Sequence, residues 1–210
     1  MEKDLILIDI DDTIFSKDKF IRNLSENLAN VYQVQREEIL ELEKKYVASL
    51  AKSGDFRIDN FLEYLGENFN KRIELDDFVS DNLGIYSTSL FTNTVAALDK
   101  LKNNFRLGIY SQGFTDIQEI KIRSSGIKDF FDEKFIYIDR NKLDPVFVSK
   151  LPDGAIIVDD KKEVVEKLKT LNRFNIVWIN RKDDDQIDGV ITIKNLEELL
   201  IINLENFVRK

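Results

Sequence analysis

Apolar residues follow two different rhythms along the chain. Short continuous runs rich in β-branched residues fall at residues 5–10, 107–111, 135–138, 155–158, 176–179 and 189–193. Between them, residues 94–103, 115–125, 162–172 and 195–207 space their apolar side chains three or four apart, as a helix with one buried face does. Strands that are apolar almost throughout need cover on both faces, which is the condition of a parallel sheet. Their alternation with helices predicts an α/β fold. Right-handed crossovers make it a doubly wound, Rossmann-like parallel sheet.

Residues 16–90 read differently. Phe20, Leu24, Leu28 and Val31 recur at helical spacing, followed by Ile39, Leu42, Tyr46 and Leu50, then by Phe61, Leu62, Leu65 and Phe69. No convincing strand interrupts them, and Ser53-Gly54-Asp55 reads as a turn between two helices. The pattern predicts an α/β core domain over 1–15 and 91–210, with an all-helical domain over 16–90 inserted after the first strand. The apolar stripe of the insert reads as its own small core rather than as a partner surface.

Composition then narrows the chemistry. No apolar stretch approaches the ~20 residues needed to span a bilayer. Two acidic residues directly follow the first apolar run, unlike a secretory signal. The cytoplasm is the expected location, with no membrane partner and a monomer or homodimer as the assembly. A net charge of −8 argues against a nucleic-acid partner, which calls for clustered Lys and Arg. It also requires that an anionic substrate be drawn by a local cation. With no cysteine there is no disulfide, thiol nucleophile or thiolate metal site. With no histidine, the Ser-His-Asp triad, imidazole-bound zinc and phosphohistidine chemistry are excluded. Carboxylates, lysines, hydroxyls and backbone groups remain, and carboxylates bind hard cations such as Mg²⁺.

Ligands of an open parallel sheet bind beyond the carboxyl ends of its strands. Residues 5–8 of the first run are followed by Asp9-Ile10-Asp11-Asp12-Thr13, and the second run ends in Ser111-Gln112-Gly113. Asp139 and Lys142 follow the third, and Asp159-Asp160 the fourth. Carboxylates crowded on one rim repel, and burial would raise their pKa values, unless a cation such as Mg²⁺ intervenes. Each residue alone is ordinary, since an aspartate at a strand end commonly caps a helix or makes a turn. Asp12 and Asp139 are read that way, and Asp76-Asp77 and Asp183-Asp184-Asp185 as solvated turns. The joint arrangement, in one chain order, carries the weight.

These residues resemble the motifs of the haloacid-dehalogenase superfamily of phosphohydrolases. The first motif, Asp-x-Asp-x-Thr/Val after an apolar strand, is matched by Asp9-Ile10-Asp11-Asp12-Thr13. The second, a strand ending in Ser or Thr, is matched by Leu107-Gly108-Ile109-Tyr110-Ser111-Gln112-Gly113. The third is a lysine, often in Lys-Pro-x-Pro, where Lys142-Leu143-Asp144-Pro145 keeps the second proline and lacks the first. The fourth, an acidic pair after a strand, is matched by Ile156-Ile157-Val158-Asp159-Asp160.

The resemblance implies a Mg²⁺-dependent phosphatase acting on a small phosphorylated metabolite, with the helical insert as a cap. Asp9 is then the covalent nucleophile, and Asp11 the acid and base. Ser111, Gln112 and Lys142 bind phosphoryl oxygens. Mg²⁺ is held by the Asp9 carboxylate, the Asp11 carbonyl and the Asp159/Asp160 pair. Asp160 is read as the direct ligand, and Asp159 as a ligand through water. Dehalogenases of the family lack an acid two residues after the nucleophile, so Asp11 favours phosphate chemistry. A phosphomutase, a dehalogenase-like hydrolase and a weakly active Mg²⁺- and phosphate-binding regulator remain alternatives.

Lys150 rivals Lys142. The helix following the third strand runs back antiparallel to it, which leaves Lys142 at the active rim and Lys150 near the far end. Arg22, Lys45, Lys52 and Arg57 of the insert could meet an anionic substrate, but read as solvated helix-face charges.

Overall fold

The computed structural model describes residues 3–50 and 56–202. Lys52, the turn expected at 53–55 and the last part of the helix expected at 195–207 lie outside the described residues.

Six strands form one sheet: β1 (Leu5–Ile8), β2 (Arg106–Gln112), β3 (Ile136–Asp139), β4 (Ile156–Asp159), β5 (Asn175–Ile179) and β6 (Ile191–Ile193). Their order is β3-β2-β1-β4-β5-β6 and every pairing is parallel. This is the doubly wound topology expected from the sequence. The chain reverses its direction of winding at β1, so the β1–β4 boundary is the switch point where such sheets bind ligands.

The helices are α1 (Lys17–Tyr32), α2 (Arg36–Ser49), α3 (Ile58–Phe69), α4 (Leu75–Asp81), α5 (Leu83–Thr88), α6 (Thr94–Asn104), α7 (Thr115–Ser124), α8 (Pro145–Ser149) and α9 (Lys162–Lys169). The described part of the segment expected to be helical over 195–207 is a short 3₁₀ helix, Leu196–Leu200. Asp76 and Asp77, expected in a solvated turn, instead occupy the first turn of α4. Carboxylates there complement the positive end of the helix dipole, which the acidic pair alone does not reveal.

The continuous apolar strands are explained by burial on both faces. Leu5, Leu7, Tyr110, Ile157, Ile176 and Trp178 pack with Phe147 and Val148 of α8 and Val164, Val165 and Leu168 of α9. Ile6, Ile8, Ile109, Ile156 and Val158, which alternate with them, are also completely buried. Each large side chain so buried contributes roughly 1.5–3 kcal/mol. Gly108 sits where a Cβ would lie 2.5 Å from the Phe135 carbonyl oxygen and 2.8 Å from Leu7 Cδ2, so no larger residue fits there.

The first apolar run leaves the sheet two residues earlier than expected. The Ile10 carbonyl accepts hydrogen bonds from the amides of Ile14 and Phe15, which turns the chain out of the ladder. Asp12, at φ 62°, takes the left-handed conformation of that turn.

Contacts divide the chain into two compact units. One comprises Met1–Ser16, Leu90–Gln118 and Ile127–Lys210; the other comprises Lys17–Ser89 and Glu119–Gly126. The second is helical and has its own core, with Leu24 and Leu28 of α1, Phe61, Leu62 and Leu65 of α3, and Tyr86 of α5 buried. Tyr32 meets Phe69 at 4.7 Å and Tyr46 meets Phe61 at 5.4 Å between ring centroids. Arg57, read as a solvated charge, is instead bound to Asp59 at 2.7 Å and half-buried. No helix of the described residues is long and apolar enough to cross a membrane.

Candidate active site

Asp9 is the first residue beyond β1, buried, with its amide still bonded to the Val158 carbonyl at 3.0 Å. The end of the adjacent strand β4 and the segment that follows β3, two strands away, converge on it. Lys142 places its ammonium 3.1 Å from Asp9 Oδ1 and 2.5 Å from Asp159 Oδ2. The other Asp159 oxygen accepts from the Lys161 amide at 3.0 Å.

Lys142 is only 1 % exposed, so its charge is tolerable only because two carboxylates meet it. Burial by itself disfavours the ammonium, but the Asp9 and Asp159 charges outweigh that and hold its pKa above the ordinary lysine range. The same burial, with the Asp9 charge added, pushes the Asp159 carboxyl upward against the pull of Lys142.

Local structure explains how a lysine reaches this place without the first proline of its motif. The Asp139 carboxylate accepts from the Asn141 amide at 2.7 Å, in the turn role read from the sequence. Asp144 caps α8 by accepting from the amides of Val146 and Phe147, and Pro145 occupies the first turn. The Tyr110 hydroxyl donates to the Lys142 carbonyl, and its ring lies 5.5 Å from the ammonium. Lys150, at the other end of α8, is exposed and lies over the Phe147 ring at 5.8 Å. The structure brings Lys142, and not Lys150, to Asp9.

Carboxylate oxygens of Asp9, Asp159 and Asp160 lie within 4.8 Å of one another, a cluster found among the described residues. Trp178 Nε1 donates to the Asp160 carbonyl at 2.9 Å and so fixes the backbone of that residue. An all-oxygen, anionic donor set suits a hard divalent cation such as Mg²⁺. Asp11 contributes no carboxylate to this cluster. Its Oδ2 accepts instead from Gln118 Nε2 at 3.0 Å, an amide that also donates to the Gln112 carbonyl and lies 3.5 Å from Ser111 Oγ. Ser111 is fully buried at the end of β2. The Gln112 side chain is exposed, with Lys161 Nζ at 3.5 Å.

The sequence reading missed Arg181. Its guanidinium donates to the carbonyls of Asp12 and Thr13 at 2.6 and 2.8 Å and stacks 3.8 Å over the Phe91 ring. It thus clamps the turn that follows Asp9 and Asp11. Arg181 stands two residues beyond the end of β5, so the rule that inspected the first four strand ends would have reached it at the fifth. Gln118 and Tyr110 lay inside recognised stretches, but nothing in their spacing marks them as contacts of Asp11 and Lys142.

The sequence matches the family model of haloacid dehalogenase-like hydrolases over residues 3–179, and the chain belongs to that family. Among curated proteins none matches the chain. A haloacid dehalogenase-like hydrolase of Burkholderia xenovorans is 20% identical, with a TM-score of 0.67 over 98% of each chain. A HAD phosphatase of Thermococcus onnurineus is 19% identical, with a TM-score of 0.58 over 95% of this chain and 96% of that one. A 2-haloacid dehalogenase of Pseudomonas syringae pv. Tomato is 18% identical, with a TM-score of 0.57 over 96% and 97%. At these identities the likeness speaks for the fold, which hosts both chemistries.

Proposed function

We propose that this hydrolase is a Mg²⁺-dependent phosphatase that cleaves a small phosphate monoester through an aspartyl-phosphate on Asp9. The observation that carries this reading is the buried Lys142 ammonium held between Asp9 and Asp159, beside the Asp9/Asp159/Asp160 carboxylate cluster. Phosphoryl transfer asks mainly for positioning and for neutralisation of oxygens, and this is the equipment for both. The second carboxylate, on Asp11, favours phosphate over carbon–halogen chemistry, because an alkoxide leaving group needs a proton and a halide does not.

In this reading Asp9 attacks phosphorus while the bond to the leaving oxygen breaks, and Asp11 gives that oxygen its proton. Asp11 then takes a proton from the water that attacks the aspartyl-phosphate, releasing inorganic phosphate and restoring Asp9. Ser111 and Lys142 hold phosphoryl oxygens, with Gln112 at the rim. Asp9, Asp160 and the Asp11 carbonyl would hold Mg²⁺, whose charge offsets that of the phosphoryl group. Asp159 is already engaged by Lys142 and the Lys161 amide, so its part is to place the lysine.

Purified protein tested with p-nitrophenyl phosphate, acetyl phosphate and a panel of metabolite monoesters should release phosphate with Mg²⁺ and not with EDTA. Asp9→Asn should abolish the release. A wild type no more active than Asp9→Asn on every ester would overturn the reading.

A further inference from the structure

We propose that Gln118 is a positioning residue for Asp11, holding that carboxylate in the orientation from which it serves the leaving oxygen. The proposal rests on the phosphatase reading above, since Asp11 needs aiming only if it transfers a proton.

Four observations carry it. Gln118 is 2 % exposed in the first turn of α7, although a carboxamide at that position has no need of burial for the helix to form. Its Nε2 donates to Asp11 Oδ2 at 3.0 Å and to the Gln112 carbonyl at 2.9 Å, with Ser111 Oγ at 3.5 Å. All three can accept, so the opposite amide orientation would set oxygen against oxygen.

The carboxamide makes this contact at the expense of its other end. Gln118 Oε1 is buried and finds no hydrogen-bond partner among the described residues. Burying an unsatisfied acceptor is unfavourable, and an apolar side chain of the same size would fill the space without that penalty. The arrangement is explained if the donor end is what matters.

Space for the amide is provided by Gly113. At φ +150 it adopts a conformation that side chains disfavour, and a Cβ there would lie 2.9 Å from Gln118 Nε2. Gln118 thereby joins the turn after β1, which carries Asp11, to the end of β2, which carries Ser111. The proposed acid and the proposed phosphate-binding hydroxyl share one amide as their common reference.

A positioning role predicts a dependence on leaving group that simple loosening of the fold does not. Alkyl esters need full protonation of the departing oxygen, whereas p-nitrophenolate departs with little help. The test compares wild type, Gln118→Met and Gln118→Glu with Mg²⁺ on glycerol phosphate and p-nitrophenyl phosphate. Both variants should lose at least about 10-fold more kcat/KM, which reports the leaving-group step and not the shared hydrolysis of the aspartyl-phosphate, on the alkyl ester than on the aryl ester, and Glu, which replaces a donor by an acceptor, should lose more than Met. An equal loss on both esters, or none, would overturn the proposal while leaving the phosphatase reading intact. A wild type inactive on both, and on the wider panel, would overturn both.

A second measurement needs neither activity nor a stable Gln118 variant. In metal-free wild type, the Gln118 side-chain amide protons should be shifted and slow to exchange in ¹⁵N-correlated NMR spectra. They should move toward the positions of a solvated amide in Asp11→Ala. Side-chain amide signals that Asp11→Ala leaves in place would count against the proposal.

Discussion

Lys142 and Asp159 approach to 2.5 Å with neither side chain exposed, and the lysine reaches Asp9 from the same position. The two residues are 17 apart in sequence and stand at the ends of different strands. Their pairing makes the charge balance of the site a property of the fold, so removing either partner leaves a buried charge behind.

In metal-free protein, Lys142→Met should cost roughly 3–5 kcal/mol of stability, because Asp9 and Asp159 then face each other uncompensated. Adding Asp159→Asn should recover part of that loss without restoring phosphate release. Urea unfolding and a phosphate assay on the single and double variants check both halves. A double variant no more stable than the single would show that the cluster repulsion is not what Lys142 relieves.

The Asp159 carboxyl, pushed up to about 7 by burial and by the Asp9 charge, gives stability a pH dependence. A carboxyl raised in the folded state contributes stability below the ordinary carboxylate range and loses that contribution as pH rises through about 7. Metal-free protein should therefore become less stable between about pH 4 and 7. Mg²⁺ should flatten that decline and add about 2.7 kcal/mol when present at a hundred times its dissociation constant. Thermal melts across pH, with and without Mg²⁺, read this out, and Asp160→Asn should remove most of the Mg²⁺ effect.

Arg181→Lys is expected to be a poor replacement. The guanidinium fork serves two successive carbonyls and stacks on Phe91, and an ammonium cannot reproduce that geometry. A loss of about 1.5–3 kcal/mol follows from the charged hydrogen bonds. Turnover should fall as well, because the turn being clamped carries Asp11. Steady-state kinetics beside denaturant melts test this; unchanged turnover would mean that the clamp does not reach Asp11.

Tyr86→Phe should stabilise the protein by about 1 kcal/mol at neutral pH. The Tyr86 hydroxyl is buried without a hydrogen-bond partner among the described residues, so deleting it removes an unsatisfied group. Burial also pushes its pKa up to about 12, so its share of stability is present below about pH 10 and is lost as pH rises through 12. The variant should accordingly lose less stability than wild type at alkaline pH. Melts at neutral pH and above pH ~10 check both signs.

What the sequence determined by itself follows from local physics. Continuous apolar runs require a two-sided sheet, and the acidic residues at their ends mark one rim, so the parallel fold and Asp9, Asp11, Ser111 and Asp160 were legible as a set. The charges were less so. Asp76 and Asp77 look the same in a turn as in a first helical turn, and Arg57 looked solvated because its partner lies at the helix start rather than at helical spacing. The β1 run ended early because backbone hydrogen bonds to Ile10, which no side-chain pattern encodes, turn the chain. The direction of the helix after the third strand already favoured Lys142 over Lys150, but only the tertiary structure showed the lysine buried against Asp9, a residue far away in sequence. It alone placed Asp159 on the lysine, Gln118 on Asp11 and Arg181 on the turn. Such contacts depend on angles and distances summed over the whole sheet, and a one-dimensional pattern does not contain them.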